Sequence, residues 1–218
     1  MRAAYFDQLD AIVDELVDMT RIVQQSVSRA THSLLTADAD VAEAVIADDD
    51  KIDALREDVE DRAFQLMALQ QPVAGDLRML VAALRMVTDL ERMGDLSVHV
   101  AKVAQLRMPE TAIPDEMLPT VKRMAEVAVH MVGQAADIIA ERDVDAARRL
   151  EKDDEEMDEL RRRSFRMMLG ENWQHGVEPA IDIALLGRYY ERIADHAVSL
   201  GRRVIYLVTG QSPSSVDH

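Results

Sequence analysis

The sequence predicts an all-α protein built as two tandem three-helix bundles, with six long helices in total. Three observations carry this prediction. Apolar residues recur at three- and four-residue steps over most of the chain, which is typical of amphipathic helices. Proline and glycine concentrate at a few breaks between these segments. The second half of the chain also repeats the first at a spacing of about 100 residues, which indicates an internal repeat.

The first repeat begins with a long helix whose apolar seam can pack in a bundle. This seam consists of Leu9, Ile12, Leu16, Met19, Val23, Val27, Ala30 and Leu34. Asp38 can cap a second helix, which runs to about Leu69, because its carboxylate can accept a hydrogen bond from an amide of the first turn. Pro72 and Gly75 in the stretch LQQPVAGD break the chain, and a third helix spans about 76–106.

Three prolines in the stretch RMPETAIPDEMLP indicate the boundary between the repeats, which we place at 1–108 and 114–210. The fourth helix repeats the apolar seam of the first through Leu118, Val121, Ala125, Ala128, Val132, Ala135 and Ile139. Helices five (about 143–172) and six (about 179–209) complete the set. Residues 211–218 are polar and small, which predicts a disordered tail.

The internal repeat also aligns acidic residues. A shift of 105 residues matches two acids of the second helix with two of the fifth: Asp49 with Asp154, and Asp53 with Asp158. Beyond the following turn the shift is 100 residues, so that LERMGDLSV lies on YERIADHAV. The difference falls in turns, where changes of length are tolerated. We therefore expect each repeat to be a unit of three helices.

Composition restricts the class of partner. Lys and Arg number 25 against 41 Asp and Glu, which gives a formal net charge of -16. Such a surface repels nucleic acid and anionic lipid and favours divalent cations and basic protein faces. No apolar run approaches the roughly 20 residues that span a bilayer, and the first residues do not resemble a secretory signal. The chain has no cysteine, which excludes thiolate metal sites, and we expect a soluble cytoplasmic protein.

Four acidic residues of each repeat come level if the second and third helices pair as an antiparallel hairpin. Asp53 and Glu91 each lie 19 residues from Pro72, and Asp49 and Asp95 each lie 23 residues from it. In the second repeat the corresponding acids are centred on the next turn in the same way: Asp154, Asp158, Glu191 and Asp195. The sequence therefore predicts two mirrored groups of four carboxylates.

Carboxylates at one height repel one another unless positive charge lies between them. Small residues would leave room for an ion, namely Gly94, Ala184, Gly187 and Ala194. Oxygen ligands of this kind suit Mg, Mn, Fe or Ca, and also allow Zn. The alternative is that Arg92, Arg192 or other basic side chains neutralise the acids as salt-bridge networks.

Three stretches, LQQPVAGDLR, VTDLERMGD and YYERIADHAV, resemble the PhoU family of phosphate-signalling proteins, and the similarity covers nearly the whole chain. The resemblance implies two three-helix bundles whose acidic motifs hold multinuclear iron or zinc clusters. The metal ligands it implies are Asp49, Asp53, Glu91, Asp95, Asp154, Asp158, Glu191 and Asp195. The family commonly has His directly after the last Asp of each motif. His196 fits that pattern and is a candidate extra ligand, whereas Leu96 stands in the first repeat.

The resemblance further implies a negative regulator of the phosphate-starvation response. Such a protein links the ATP-binding subunit of a phosphate ABC transporter to a phosphate-sensing histidine kinase. We expect it in the cytoplasm, held at the inner face of the membrane through its partners, and as a homodimer. The strongly acidic surface predicts no phosphate pocket of its own, so phosphate status would arrive through partner proteins or through anions on the metals.

Two alternatives remain, a carboxylate-bridged metalloenzyme and a purely structural helical scaffold. A di-iron enzyme of the ferritin type needs a Glu-x-x-His step, and none of the six histidines has Glu three residues before it. No GxxxxGK[ST] phosphate loop occurs either, and we expect a binding protein rather than an enzyme. A scaffold explains the apolar seams but does not explain the mirrored acids.

Overall fold

The computed structural model describes residues 2–211, with side chains from residue 5 onward. Six helices make up all the regular structure of this part of the chain. They are α1 (Arg2–Thr36), α2 (Ala39–Gln70), α3 (Gly75–Arg107), α4 (Leu118–Glu141), α5 (Val144–Met168) and α6 (Val177–Thr209). The all-α class and the number and order of the predicted helices are confirmed. The predicted tail at 211–218 lies outside the described residues except for Gln211.

The apolar seams form the core as predicted, with one exception. All eight seam residues of α1 are buried, and six of the seven seam residues of α4 are buried with them. Leu118 is the exception, since 36% of its surface is exposed. Met117, the residue before it, is fully buried and takes the inward position one turn before Val121. Leu118 was therefore the wrong start of the seam, because a helix of 3.6 residues per turn places the two neighbours on different faces.

The two repeats start their second helices with the same cap. The Asp38 carboxylate accepts a hydrogen bond from the Val41 amide at 3.0 Å. Asp143 does the same for the Ala146 amide at 2.9 Å at the start of α5. Each cap satisfies an amide that has no partner inside the helix. The cap predicted at Asp38 is confirmed, and its repetition at Asp143 shows that the internal repeat extends to local backbone chemistry.

The turn between α5 and α6 is longer than the sequence indicated. Helix α5 ends at Met168 rather than near 172, and α6 begins at Val177 rather than near 179. Trp173 stabilises the turn, because its indole nitrogen donates a hydrogen bond to the Gly176 carbonyl at 2.7 Å. Gly176 has a φ of 81°, a backbone conformation that favours glycine. The apolar character of Met168 and Leu169 had concealed this early end.

The two bundles share one core. Each of the helices α1, α2 and α3 contacts the other two, and the same holds for α4, α5 and α6. The bundles join through α1 against α4 and α3 against α6, and the buried apolar residues form one continuous cluster. A buried hydrogen bond of 2.9 Å between the hydroxyls of Thr31 and Tyr190 crosses this junction. Within the described residues, no helix is long and apolar enough to cross a membrane.

The paired caps give a test of the repeat. Replacing Asp38 or Asp143 with Ala should lower the unfolding free energy by about 1 kcal/mol each, because one amide of each helix start loses its partner. The melting temperature should fall by roughly 2–4 °C for a chain of this size. Circular dichroism melts of both variants measure the effect, with Glu57→Ala as control, since Glu57 is an exposed acid inside α2. Melting temperatures equal to that of the control would contradict the capping role.

Candidate metal centre

The hairpin of α2 and α3 brings the four predicted acids of the first repeat together. The pKa of the Asp49 carboxyl is raised to about 6, chiefly by burial and then by the negative charges of Asp95, Asp53 and Glu91 in that order. Asp95 has the largest effect of the three on the pKa of Asp49. This order agrees with the predicted pairing of Asp49 with Asp95 across the hairpin. We call Asp49, Asp53, Glu91 and Asp95 the first acid cluster.

Gly94 allows the two helices of this hairpin to approach closely. A Cβ atom at this position would lie 2.9 Å from the Ile52 Cδ1 atom and 3.2 Å from an Asp49 carboxylate oxygen. Both distances are shorter than ordinary van der Waals contact, so a larger residue would displace Ile52 or Asp49. Gly94 therefore determines how near the Asp49 carboxylate lies to α3, whereas the room for an ion that the sequence argument expected beside it is filled by the Ile52 side chain.

Arg92 neutralises the first acid cluster only in part. Its guanidinium lies 3.2 Å from Asp95 and 3.6 Å from Glu91, and more than half of its side chain is exposed. Ion pairs in such positions contribute little because water screens them. Burial and the Asp95 charge still raise the pKa of Glu91, although Arg92 and Arg56 act in the opposite direction. The salt-bridge alternative is therefore present here, but it leaves repulsion among the carboxylates.

The hairpin of α5 and α6 repeats this arrangement. The pKa of Asp154 is raised to about 6, chiefly by burial and then by the negative charges of Asp195, Asp158 and Glu191. The pKa of Asp195 is also raised, by burial first and by Glu191 second. We call Asp154, Asp158, Glu191 and Asp195 the second acid cluster. The two clusters thus agree in composition, and Asp49 and Asp154 agree in the order of the causes that raise their pKa values.

The second acid cluster differs from the first in its arginines. Glu191 is 9% exposed and accepts hydrogen bonds from Arg161 at 2.7 Å and from Arg188 at 2.5 Å. Arg192, which the sequence had suggested for this role, makes no hydrogen bond or ion pair with any described residue. Arg188 could have been found from its spacing, because residues three apart share a helical face. Arg161 lies on another helix, and only the packing of α5 on α6 reveals it.

The donor chemistry of both clusters fits a hard cation, although the side chains do not enclose one. In the described part of the chain, no three His, Asp or Glu side chains converge into a preformed metal site. The other three carboxylates of each cluster nevertheless act electrostatically on Asp49 and on Asp154, whose pKa values they help to raise. A cation would require rotation of these side chains and, in the second acid cluster, release of Glu191 from its arginines. The eight ligands stay a prediction.

His196, the candidate extra metal ligand, is held by a residue outside the acid clusters. The His196 Nδ1 atom is 3.1 Å from an Asp89 carboxylate oxygen, and Arg203 contacts the same carboxylate at 2.9 Å. This contact joins α6 to α3 across the two bundles, so the structure gives His196 a packing role that the sequence did not reveal.

Gly187 faces the first helix of its own bundle, since the nearest atoms to a Cβ at this position belong to Met124 of α4. Gly187 therefore does not make room beside the second acid cluster, contrary to the prediction.

The raised pKa values predict how neutralising one acid alters stability. Asp49→Asn should stabilise the metal-free protein at pH 7.5, because the wild-type carboxylate is held charged against burial and repulsion. A carboxyl with a pKa of about 6 in the folded state and 3.8 in the unfolded state takes up protons on folding between these values. The wild-type penalty therefore disappears as the pH falls below about 4. The advantage of the variant should disappear over the same range.

The measurement is a thermal melt of metal-free wild type and variant at several pH values. Since Asp49 is only half-buried, we expect a gain of about 1 kcal/mol at pH 7.5, or roughly 2–4 °C. Glu57→Gln serves as the control, because it removes an exposed charge from the same helix. A variant that is less stable than wild type at pH 7.5 would show that Asp49 is already compensated.

Comparison with known proteins shows the family. A family model described as the PhoU domain matches residues 16–104 and again 121–204. A Mycobacterium tuberculosis protein named phosphate-specific transport system accessory protein PhoU homolog 2 is 44% identical over 213 residues, covering 98% of this chain and 100% of the relative. A Thermotoga maritima protein named phosphate-specific transport system accessory protein PhoU homolog 1 is 34% identical over 208 residues. The match covers 94% of this chain and 89% of the relative.

Solved structures agree with this assignment. The crystal structure of PhoU from Pseudomonas aeruginosa superposes with a TM-score of 0.86 at 28% identity, covering 95% of this chain and 100% of that one. The phosphate transport system regulatory protein PhoU from Streptococcus pneumoniae gives the same TM-score at 23% identity, with 95% and 98% covered, and shows the shared fold. The two matched domains coincide with the two three-helix repeats, and the chain belongs to the PhoU family.

Proposed function

We propose that this chain is a metal-binding cytoplasmic regulator of phosphate uptake and signalling. It represses the phosphate-starvation response when phosphate is plentiful. Family membership carries the proposal, because relatives that match most or all of their length are named accessory proteins of the phosphate-specific transport system. The names describe an accessory role rather than a catalysed reaction, which is why we favour action by binding.

Regulation proceeds by protein contact in this proposal. The chain joins the ATP-binding subunit of a phosphate ABC transporter to a phosphate-sensing histidine kinase, at the inner face of the membrane and as a homodimer. Its charge of -16 offers an acidic surface to basic faces of such partners. Complementary charge increases the rate and fixes the orientation of docking more than it increases affinity. The rigid shared core of the two bundles supports this role, because it holds distant surfaces in a fixed relation.

Metal binding is the second part of the proposal. The first acid cluster would supply Asp49 and Asp53 from α2 with Glu91 and Asp95 from α3, and the second acid cluster would supply the four corresponding residues. Iron or zinc is proposed, and Mg, Mn or Ca would also suit the oxygen donors. A bound cation would supply positive charge that relieves the carboxylate repulsion and cross-links the two helices of each hairpin. The mirrored shifts at Asp49 and Asp154 are the observation that supports this part.

One observation favours a purely structural second acid cluster. Glu191 already has two arginine partners, so salt bridges could satisfy it without a metal. The first acid cluster offers no equivalent pair of short contacts to Glu91, whose nearest arginine atom is 3.6 Å away. Measuring metal in variants of the second acid cluster therefore separates the two interpretations.

Replacing both Glu191 and Asp195 with Ala should lower the metal bound by the protein. These changes remove two of the four carboxylates of the second acid cluster, whereas the buried apolar residues of the helices keep the fold. Elemental analysis of protein dialysed without chelator gives the metal content, and circular dichroism checks the helix content. A double variant of the exposed residues Glu155 and Glu171 is the matched control. Metal content equal to that of the control would leave the second acid cluster as a salt-bridge network.

Deletion of the gene tests the regulatory part. In phosphate-rich medium we expect the phosphate-starvation genes to become active, because the signal that holds the histidine kinase in check is lost. Transcript levels of those genes provide the measurement, and expression of the wild-type chain from a plasmid should restore repression. Repression that persists in a strain without a second copy of this family would contradict negative regulation, and would favour the scaffold alternative.

A further inference from the structure

A basic pocket lies between the two bundles, beside the acid clusters. It has a volume of about 570 Å³ and is formed by α3 and α6, the helices through which the bundles meet. This volume falls within the range of roughly 300–1,000 Å³ that is usual for small-molecule sites. Asp95 of the first acid cluster lines it from α3, and Arg188, which binds Glu191 of the second acid cluster, lines it from α6.

The lining of this pocket is positive, in contrast to the chain as a whole. Arg92, Arg188 and Arg192 contribute three guanidinium groups, whereas Asp95 is the one carboxylate among the described lining residues. The whole chain has 41 acids against 25 Lys and Arg residues, so the pocket lining has the opposite sign of charge from the chain as a whole. Such a local excess of positive charge attracts anions into a cleft.

Arg192 is the least engaged of the three arginines. Arg92 pairs with Asp95 and Arg188 pairs with Glu191, and both are about half exposed. Arg192 is exposed and forms no hydrogen bond or ion pair with the residues that the structure describes. Its donors are therefore available to a ligand. A guanidinium matches phosphate well because it can donate two parallel hydrogen bonds.

An aromatic wall completes the pocket. The His99 ring on α3 stacks on the Tyr189 ring of α6, with centroids 5.3 Å apart and planes inclined by 18°. His196 adds a second imidazole, held by Asp89 from behind. Imidazole nitrogens and a phenol can donate hydrogen bonds to anionic oxygens. The stacked rings also present a flat surface on which a nucleobase could lie.

The geometry points to a binding site for a phosphate-bearing small anion between α3 and α6, with Arg192 as its principal ligand and Arg92, Arg188 and His99 around it. The shared chemistry is that of a phosphate group, whether it is free inorganic phosphate or part of a nucleotide. This proposal departs from the sequence-based expectation that the acidic chain has no phosphate pocket of its own, and the titrations below decide between the two. The site does not require a metal, and the four residues proposed to bind the anion are not among the eight acidic positions proposed as metal ligands, although Asp95 lies on the pocket wall.

The test is calorimetric titration of the full-length, metal-free protein with inorganic phosphate and, separately, with ATP. Arg192→Gln should weaken binding of the anion about tenfold, the effect of losing a charge-assisted hydrogen-bond donor. Arg163→Gln is the matched control, because Arg163 on α5 is also exposed and makes no ion pair or hydrogen bond among the described residues. Circular dichroism melts establish that both variants fold like the wild type.

The two titrations distinguish the sources of the phosphate group. Binding of inorganic phosphate that Arg192→Gln weakens and Arg163→Gln does not would support the site with free phosphate as its ligand. Binding of ATP alone, weakened by Arg192→Gln and by His99→Ala, would support the site with a nucleotide stacked on the aromatic wall. Failure of the wild type to bind either anion at millimolar concentration would overturn the proposal. Equal binding by the two arginine variants would overturn it as well.

Discussion

The close antiparallel packing of α2 on α3, and of α5 on α6, is the constraint on which the rest of the site depends. It places like charges at the same height of each hairpin, where Asp49 and Asp154 are partly buried and water screens their repulsion incompletely. Gly94 maintains this approach in the first repeat, because any side chain there would meet Ile52 and Asp49. A fold selected only for stability would avoid this arrangement, since each carboxylate raises the free energy of its neighbours.

Arginines connect these strained clusters to the junction of the bundles. Arg92 and Arg188 each pair with an acid cluster, and each also lines the pocket between α3 and α6. The same junction carries the contact of His196 with Asp89 and the buried hydroxyl pair of Thr31 and Tyr190. Arg92 and Arg188 therefore contribute both to the charge of the acid clusters and to the charge of the pocket, and they lie at the junction where the bundles pack.

Local pattern was sufficient to predict the six helices, the cap at Asp38 and the alignment of the acids across each hairpin. The α1 seam and the cap at Asp38 depend on residues within a few positions of each other, and the hairpin register follows from equal distances to Pro72. The partners of Glu191 and His196 were harder to predict. Arg161 lies 30 residues from Glu191, and Asp89 lies 107 residues from His196, so only the packing of whole helices brings them together. The basic pocket was missed for the same reason, because average composition conceals a local reversal of charge.

The shared arginines couple the two proposed sites energetically, because the same side chains contact the acid clusters and line the pocket. Release of Glu191 from Arg188, which cation binding at the second acid cluster requires, would leave that guanidinium free to face the pocket. An anion in the pocket would in turn draw Arg188 away from Glu191 and leave the carboxylate available. Two ligands that each favour the same rearrangement must strengthen one another's binding by the same factor. Because Arg188 contacts Glu191 and also lines the pocket, the proposed cation site and the proposed anion site share a residue at the junction of the two bundles.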